Sequence, residues 1–600
     1  MLRGRRSIAA RTASAVAGAA VVAMALSACG PQVEARVLPG SSVDVAWEGE
    51  LTAASAASVP AATAGNRDVA ALTRAAFATV GADGELREDP SFGTATVVSE
   101  APFTVRYDLA DGVRWSDGVP IDAADLALAW AASSNALSTP DLDLAALRGE
   151  DARLDLPEDA VWFDVADPGG LVHAVEAPVR DDWGRAIDVA FAQPVPDWRE
   201  ALEVAVPAHV LGQQVLGIAD PMEAKQRVLD AIDRADPLAL APIAEAWSAG
   251  LPISAADPAP GALVASGPYR LEQLRDGRVE LVANDRYVGA QLPQVERLVL
   301  HDVADDAAAL QGLTSGALDV AAVQPVDGDR TAIRDLERDD ATLIAGATGL
   351  RWELALRADR APLRSAEARR SLLQSIDRQA LVEAALGERA EEADRVDALL
   401  FRPGTRVYEY ALEDAGLPQA FGGAEPEAAA AERDRLGIPA GTEVCVRYDR
   451  SDAFAAAALP AMAAQAAEAG WQVRDCGVDD LAAGLAEDDW HAVLRVVAAP
   501  ADAEAVADRW RGGGITGAES PAREALLDEA LSTADPDALE QTLLEVETSL
   551  VADALALPIA EPIRLTVSAA GLQGVAPRPA PASLTWNAWE WSLESATPAP

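Results

Sequence analysis

Val43, Val45 and Trp47 alternate with Asp44 and Ala46, a two-residue period that predicts a strand with one larger apolar face, ended by Glu48-Gly49. Further along, the apolar period lengthens. Asp122 stands as a cap before a run in which Leu126 and Trp130, four residues apart, share one helical face. Ser520-Pro521 and Asp535-Pro536 each set a capping side chain before a proline at the first helical position. After Asp535, Leu539, Leu543, Val546 and Leu550 recur at helical spacing and predict a helix packed on a core. The stretch from Asp305 to Ser315 predicts a helix stopped by Gly316, with a strand at Leu318-Asp319-Val320 beyond it. Strand-like residues from Glu443 to Tyr448 and from Trp471 to Arg474 flank an alanine-rich stretch from Ala453 to Ala469, which reads as the crossover helix of a βαβ unit. Pro460 predicts a kink there, or the first turn of a shorter helix. Strands alternate with helices over most of the chain, so the expected class is α/β.

Length changes the picture from one core to several. The chain has 600 residues, and single cores stop growing beyond about 250–300 residues, so at least two lobes are expected. No repeat and no long low-complexity linker separates them. A composition of 50% hydrophobic and 24% charged residues is that of a globular chain. The formal net charge of −48 repels phosphate backbones and argues against nucleic acid as a partner. Lys225 is the only lysine, so arginine supplies nearly all the positive charge.

The N-terminus sets the compartment. Arg3, Arg5, Arg6 and Arg11 precede or border an apolar run from Ala13 to Ala25, shorter than the about 20 residues a membrane helix needs, so residues 1–28 read as a cleaved signal peptide. Leu26-Ser27-Ala28-Cys29 resembles the bacterial lipobox, which implies cleavage before Cys29 and lipid on its sulfur. The expected location is extracytoplasmic, at the cell membrane through the lipid anchor, with residues 29–40 as a tether and 595–600 as a frayed tail. Of three cysteines, lipidation leaves Cys445 and Cys476; in an oxidising compartment this pair suggests a disulfide, the alternative being two buried thiols.

Signatures of catalysis are weak. Gly512-Gly513-Gly514-Ile515-Thr516-Gly517 formally fits GxGxxG, but it follows charged Asp508-Arg509-Trp510-Arg511 where a nucleotide site needs an apolar strand, and it reads as a glycine loop. No GxSxG elbow, P-loop or HExxH is present. His173, His209, His301 and His491 lie far apart without ligand-like spacing, and acid pairs such as Glu48 and Glu50 are expected by chance among 96 acidic residues. No catalytic residue, metal or cofactor is expected.

A distributed pattern carries more. The run from Tyr107 to Pro120, with Arg114-Trp115-Ser116-Asp117-Gly118 inside it and Asp122-Ala123-Ala124-Asp125 after it, resembles a hallmark of the family 5 solute-binding proteins of ABC importers, the dipeptide- and oligopeptide-binding lipoproteins. Pro207-Ala208-His209-Val210, Ser266-Gly267-Pro268-Tyr269, Asn284-Asp285-Arg286-Tyr287, Leu313 to Val320 and Ser375-Ile376-Asp377-Arg378-Gln379-Ala380 follow in the family's order. The closing Trp586-Asn587-Ala588-Trp589-Glu590-Trp591 resembles an actinobacterial-type branch. Most of these motifs read as scaffold, Asp117-Gly118 as a turn and Gly267-Pro268 as a strand entry.

The resemblance implies a two-lobed, periplasmic-binding-protein-like clamshell of the large type II class. Residues 41–324 and 557–594 would form lobe 1 and residues 325–556 lobe 2. It implies a monomer that captures a small solute, a peptide first among them, and delivers it to an ABC permease, so the chain is not expected to be an enzyme. Candidate ligand residues are Trp47 and Glu48 after the first strand, Arg351, Trp352 and Glu353, and Trp586 and Asn587 near the return crossing. Peptide-binding relatives hold the peptide amine with an acidic residue after a strand of the second lobe; here the strand-like Ala492 to Val497 leads into alanines, with Asp502 as the substitute. Two other readings stay open: a solute-binding fold turned to partner binding, and a secreted hydrolase, which would need a nucleophile and base in the cleft.

Overall fold

The computed structural model describes residues 37–594 except 82, 150, 151, 255–259, 276, 325–328 and 578–582. The expected signal peptide, Cys29, most of the expected tether and the expected tail lie outside the described residues. One twelve-stranded sheet runs through the molecule in the order Trp471–Asp475, Thr442–Arg447, Ala492–Ala498, Leu350–Leu356, Ala556–Ser568, Val320–Val323, Leu38–Trp47, Val295–Asp302, Arg278–Ala283, Tyr269–Arg275. Two strands lie off this path, Thr342–Ala347 and Ala393–Arg395, and both pair with Ala556–Ser568. A separate four-stranded sheet holds Gly93–Glu100, Phe103–Leu109, Ala186–Phe191 and Val179–Arg180.

Most of the expected elements form, with physical differences. Leu38–Trp47 pairs in parallel with Val295–Asp302. Val43, Val45 and Trp47 are buried, and so is Ala46 on the opposite face, against Leu310 and Leu313. The strand is therefore covered on both sides, as parallel pairing requires. Asp122 caps Ala123–Ser134 through a full capping box with Asp125, but every residue of this helix is buried rather than one face. Gly316 ends Asp306–Ser315 in the left-handed conformation, and the strand beyond it begins at Val320. Ser520 and Asp535 cap Pro521–Ala530 and Pro536–Ala552; in the second, Val546 and Leu550 reach the core and Leu539 and Leu543 are half-buried. The helix Ala453–Glu468 runs on through Pro460 and connects the parallel strands Thr442–Arg447 and Trp471–Asp475. Cys445 and Cys476 are disulfide-bonded, with Cα atoms 5.7 Å apart.

The family-like motifs hold the scaffold. His209 Nε2 meets Asp117 Oδ2 at 2.8 Å, joining two motifs 92 residues apart. Asn284 donates to the carbonyl of Gly267 at 2.9 Å, and a Cβ on Gly267 would strike the backbone of Thr73 and Arg74 at 2.7–2.8 Å. Arg378, 3% exposed, donates to the carbonyls of Val396, Pro558 and Phe421 and to Asp397.

Two large apolar cores mark the lobes, one built from residues 43–300 with the C-terminal segment, the other from residues 352–560. The strand Ala556–Ser568 passes between them: Ala556–Ala560 pairs with Leu350–Leu356, while Leu565–Ser568 pairs with Val320–Val323. The outward crossing is the short link Thr348-Gly349 between Thr342–Ala347 and Leu350–Leu356. Arg330–Arg338 and Thr342–Ala347 pack beside Ala46 and Leu310 through Leu336 and Leu343, and the strand Ala556–Ser568 changes partner near Glu561–Arg564. The crossings touch: Thr348 N–H donates to Pro562 O at 3.2 Å and Gly349 N–H to the Glu561 carboxylate. Gly349 has φ +75°, a conformation that glycine adopts without strain.

Candidate functional site

Lobe 1 contributes a turn after the strand Ala186–Phe191. Asp197 accepts from Gly170 N–H at 2.8 Å, which holds this turn against the segment carrying Asp167, and Trp198 Nε1 donates across the lobe boundary to Ala534 O at 3.0 Å. Asp197 and Glu200, on the turn with Trp198, therefore line the boundary from one side, and both feel Asp502 of the other. From the other side, Asp502 caps Ala503–Trp510, accepting from Ala505 N–H at 2.8 Å, and Glu504 sits in the first turn. Glu200, Glu203, Asp502 and Glu504 are exposed to water, and Glu200 feels the charge of Asp502 from the facing lobe, which sets these two carboxylates across a cleft between the lobes.

Electrostatics across this cleft are one-sided. Glu200 is pushed up to about 7, by burial first and then by Asp197, Asp502 and Asp167. Asp197 is raised by burial and, against the pull of backbone N–H groups, by Asp167 and Asp502. Glu504 is raised by burial and by Asp167, Asp502, Asp508 and Asp197. Glu203 is raised by burial, with Arg74 opposing and Asp167 adding. The adjacent arginines are engaged elsewhere: Arg199 pairs with Glu88 at 3.0 Å and stacks on Trp198, and Arg509 pairs with Glu353 at 2.5 Å. The cleft thus offers net negative charge to a solute.

The eight ligand candidates read from the sequence fall in different places. Asp502 stands in the cleft. Glu48 is exposed and pairs at 3.2 Å with Arg564, which also binds Asp306 and the carbonyl of Ala322, beside the return crossing. Trp47 is 6% exposed and donates to Asp68 Oδ2 at 2.8 Å. Trp352 stacks on Phe454 at 3.8 Å inside lobe 2. Arg351 and Glu353 are buried on the opposite face of the same strand, 3.6 Å apart. Asn587 is buried, bonded to Gly574 O, Glu590 and Trp591, and Trp586 donates to Ala576 O at 2.9 Å. The structure brings Arg351 and Glu353 together and leaves the others apart.

Sequence reasoning missed Asp167, Asp197, Glu200, Glu203 and Glu504. The three-residue spacing of Asp197, Glu200 and Glu203 was visible, but among 96 acidic residues it carries no signal until a fold sets it against Asp502. A groove of about 530 Å³ on lobe 1, lined by Arg180, Trp183, Met222 and Lys225 among others, shares no residue with the cleft. Its cations are already paired, Arg180 with Asp233 and Lys225 with Asp125, so the cleft is the stronger candidate.

With this geometry in view, comparison with known proteins decides the family. The description "Bacterial extracellular solute-binding proteins, family 5 Middle" matches residues 89–517. The chain belongs to this family. An uncharacterized lipoprotein of Mycobacterium tuberculosis is 26% identical over 596 residues, covering 96% of each chain. Among solved structures, the periplasmic EDTA-binding protein EppA superposes with a TM-score of 0.70 at 17% identity, over 93% of this chain and 98% of that one. The oligopeptide-binding protein AppA from Bacillus subtilis, in complex with a nonapeptide, gives 0.58 at 13% identity, over 92% and 99%. These structures share the two-lobed fold, and the family is one of solute-binding proteins rather than enzymes.

Proposed function

We propose that this protein captures a small solute carrying a positive charge, a short peptide with a free amine, and delivers it to the translocator of an ABC importer while lipid on Cys29 holds it at the membrane. The observation that carries this reading is the cleft lined by Asp197 and Glu200 from lobe 1 and Asp502 from lobe 2. An ammonium group between these carboxylates interacts with both lobes only when they are closed, and a ligand shifts a conformational equilibrium only by such a difference in affinity. Arg495, half-buried on the strand Ala492–Ala498 and near the Glu353 carboxylate that Arg509 already pairs, is the cation we assign to the carboxylate end. In this reading Asp502 serves as the acidic residue for the amine, together with Asp197 and Glu200 of the facing lobe.

Small molecules released from gently purified protein and identified by mass spectrometry should include peptides. Titration followed by tryptophan fluorescence should show that a lysine-containing tripeptide binds at least about tenfold tighter than its fully N-acetylated form, because charge-assisted hydrogen bonds are about twice as strong as neutral ones. Equal binding of the two forms refutes the reading.

A further inference from the structure

We propose that Asp167, Asp197 and Glu200 on lobe 1 and Asp502 and Glu504 on lobe 2 form a pH-sensitive electrostatic spring, which opens the empty clamshell when charged and lets it close when protonated. The inference rests on the assignment of this cleft as the solute site, and it adds a control that acts without solute.

The geometry has three parts. The lobes are joined by two adjacent crossings, at Thr348-Gly349 and Glu561–Arg564, so one hinge carries their relative motion. The turn bearing Asp197 and Glu200 meets lobe 2 directly, since Trp198 between them donates to Ala534 O. The facing element, Ala503–Trp510, presents its N-terminal turn with Asp502 and Glu504. The charged groups around Glu200 are acidic from every side: Asp197 on its own turn, Asp167 on the neighbouring segment and Asp502 across the cleft. Asp508 adds to the field at Glu504. The cations nearby do not neutralise the cluster: Arg74 faces Glu203, Arg199 is held by Glu88, and Arg509 by Glu353.

The direction follows from linkage. Closing the lobes brings like charges together and raises their proton affinity, so the closed form binds more protons than the open form and acid favours it. The window is set by Glu200, which titrates at about 7 with the lobes together; parting them removes the charge of Asp502 from its surroundings, so its proton affinity falls on opening. An ammonium-bearing solute supplies the same neutralisation at higher pH. Acidification therefore closes the empty protein and removes the charge that attracts the cation.

The test is the radius of gyration of the ligand-free, full-length protein in detergent-free form after removal of the lipid, followed by small-angle scattering from about pH 8 to about pH 5. We expect a contraction of roughly 1 Å on a radius of about 25 Å for a compact chain of this size, with its midpoint between about pH 5 and 7. Salt at about 1 M, where the screening length is about 3 Å, should contract the protein already at the upper pH. Glu200→Gln should do the same, as should Asp502→Asn, which keeps the helix cap because asparagine caps as well as aspartate. A radius that stays constant with pH, or variants that contract with pH as the parent does, overturns the spring. Peptide binding is measured separately, so loss of the spring leaves the capture reading standing, and failure of peptide binding leaves the spring standing.

Discussion

Removing the buried carboxylate of Glu353 tests how lobe 2 is held together. Glu353 is 0% exposed, with Arg509 at 2.5 Å on one oxygen and Arg351 at 3.6 Å on the other. Burial acts to raise its pKa, but Arg509, Arg351 and Arg495 outweigh it and hold the carboxyl below its ordinary value. It is therefore charged, and Glu353→Gln deletes that charge at nearly constant volume. Arg351, 3% exposed, is then left with a backbone carbonyl of Leu399 and more distant acids. A pair at this separation is worth about 5 kcal/mol at an effective dielectric of about 20, while Arg509, partly exposed, recovers water. Breaking a buried pair by removing one partner costs about 3–5 kcal/mol, and we expect that loss. For a lobe of this size it lowers the melting temperature by roughly 6–20 °C. The readout is denaturant unfolding by fluorescence, where the buried Trp352, Trp471, Trp490 and Trp510 report on lobe 2. The double variant Arg351→Met with Glu353→Met should lose less than Glu353→Gln alone, since it buries no uncompensated charge. A Glu353→Gln cost under about 1 kcal/mol, or a double variant less stable than the single one, refutes the argument.

Three further outcomes are expected. Replacing both Cys445 and Cys476 with serine opens a loop with a sequence separation of 31 residues and should cost lobe 2 about 3–4 kcal/mol by loop entropy; reductant should shift the parent's unfolding midpoint and leave the variant's unchanged. Glu547, 0% exposed, is pushed up to about 7 by burial despite the N–H groups of Leu399 and Leu400 that bond it. Its folded pKa lies above its unfolded one, so its stabilising contribution is complete below about pH 4.3 and is lost as pH rises through about 7. Unfolding midpoints at either end of that window should therefore fall towards higher pH in the parent and much less in Glu547→Gln; identical slopes contradict the assignment. Cys29→Ala should move the protein from the membrane fraction to the soluble one, and retention on the membrane would refute the anchor.

Much of the framework was legible because it depends on neighbours in sequence. Caps at Asp122, Ser520 and Asp535, the stop at Gly316 and the βαβ unit joined by Cys445–Cys476 all rest on interactions within a few turns or between adjacent elements. The ordered motifs also marked the family, although the structure makes most of them scaffold, as the Asp117–His209 contact shows. Local pattern was silent on how far the helix at Pro460 would run, because a buried helix tolerates a proline where neighbouring contacts outweigh one lost hydrogen bond. It was likewise silent on where a strand changes partner, since Ala556–Ser568 reads the same whichever neighbour it pairs with.

The sequence by itself determined the class of fold and the family, properties written in short-range periodicity and motif order. Only the tertiary structure decided which carboxylates meet across the cleft, and it buried Trp47, Trp352 and Glu353 as supports while setting Glu200 against Asp502. The reason is that charge acts through space: Glu200 and Asp502 lie some three hundred residues apart along the chain and influence one another only once a hinge has folded the two lobes face to face.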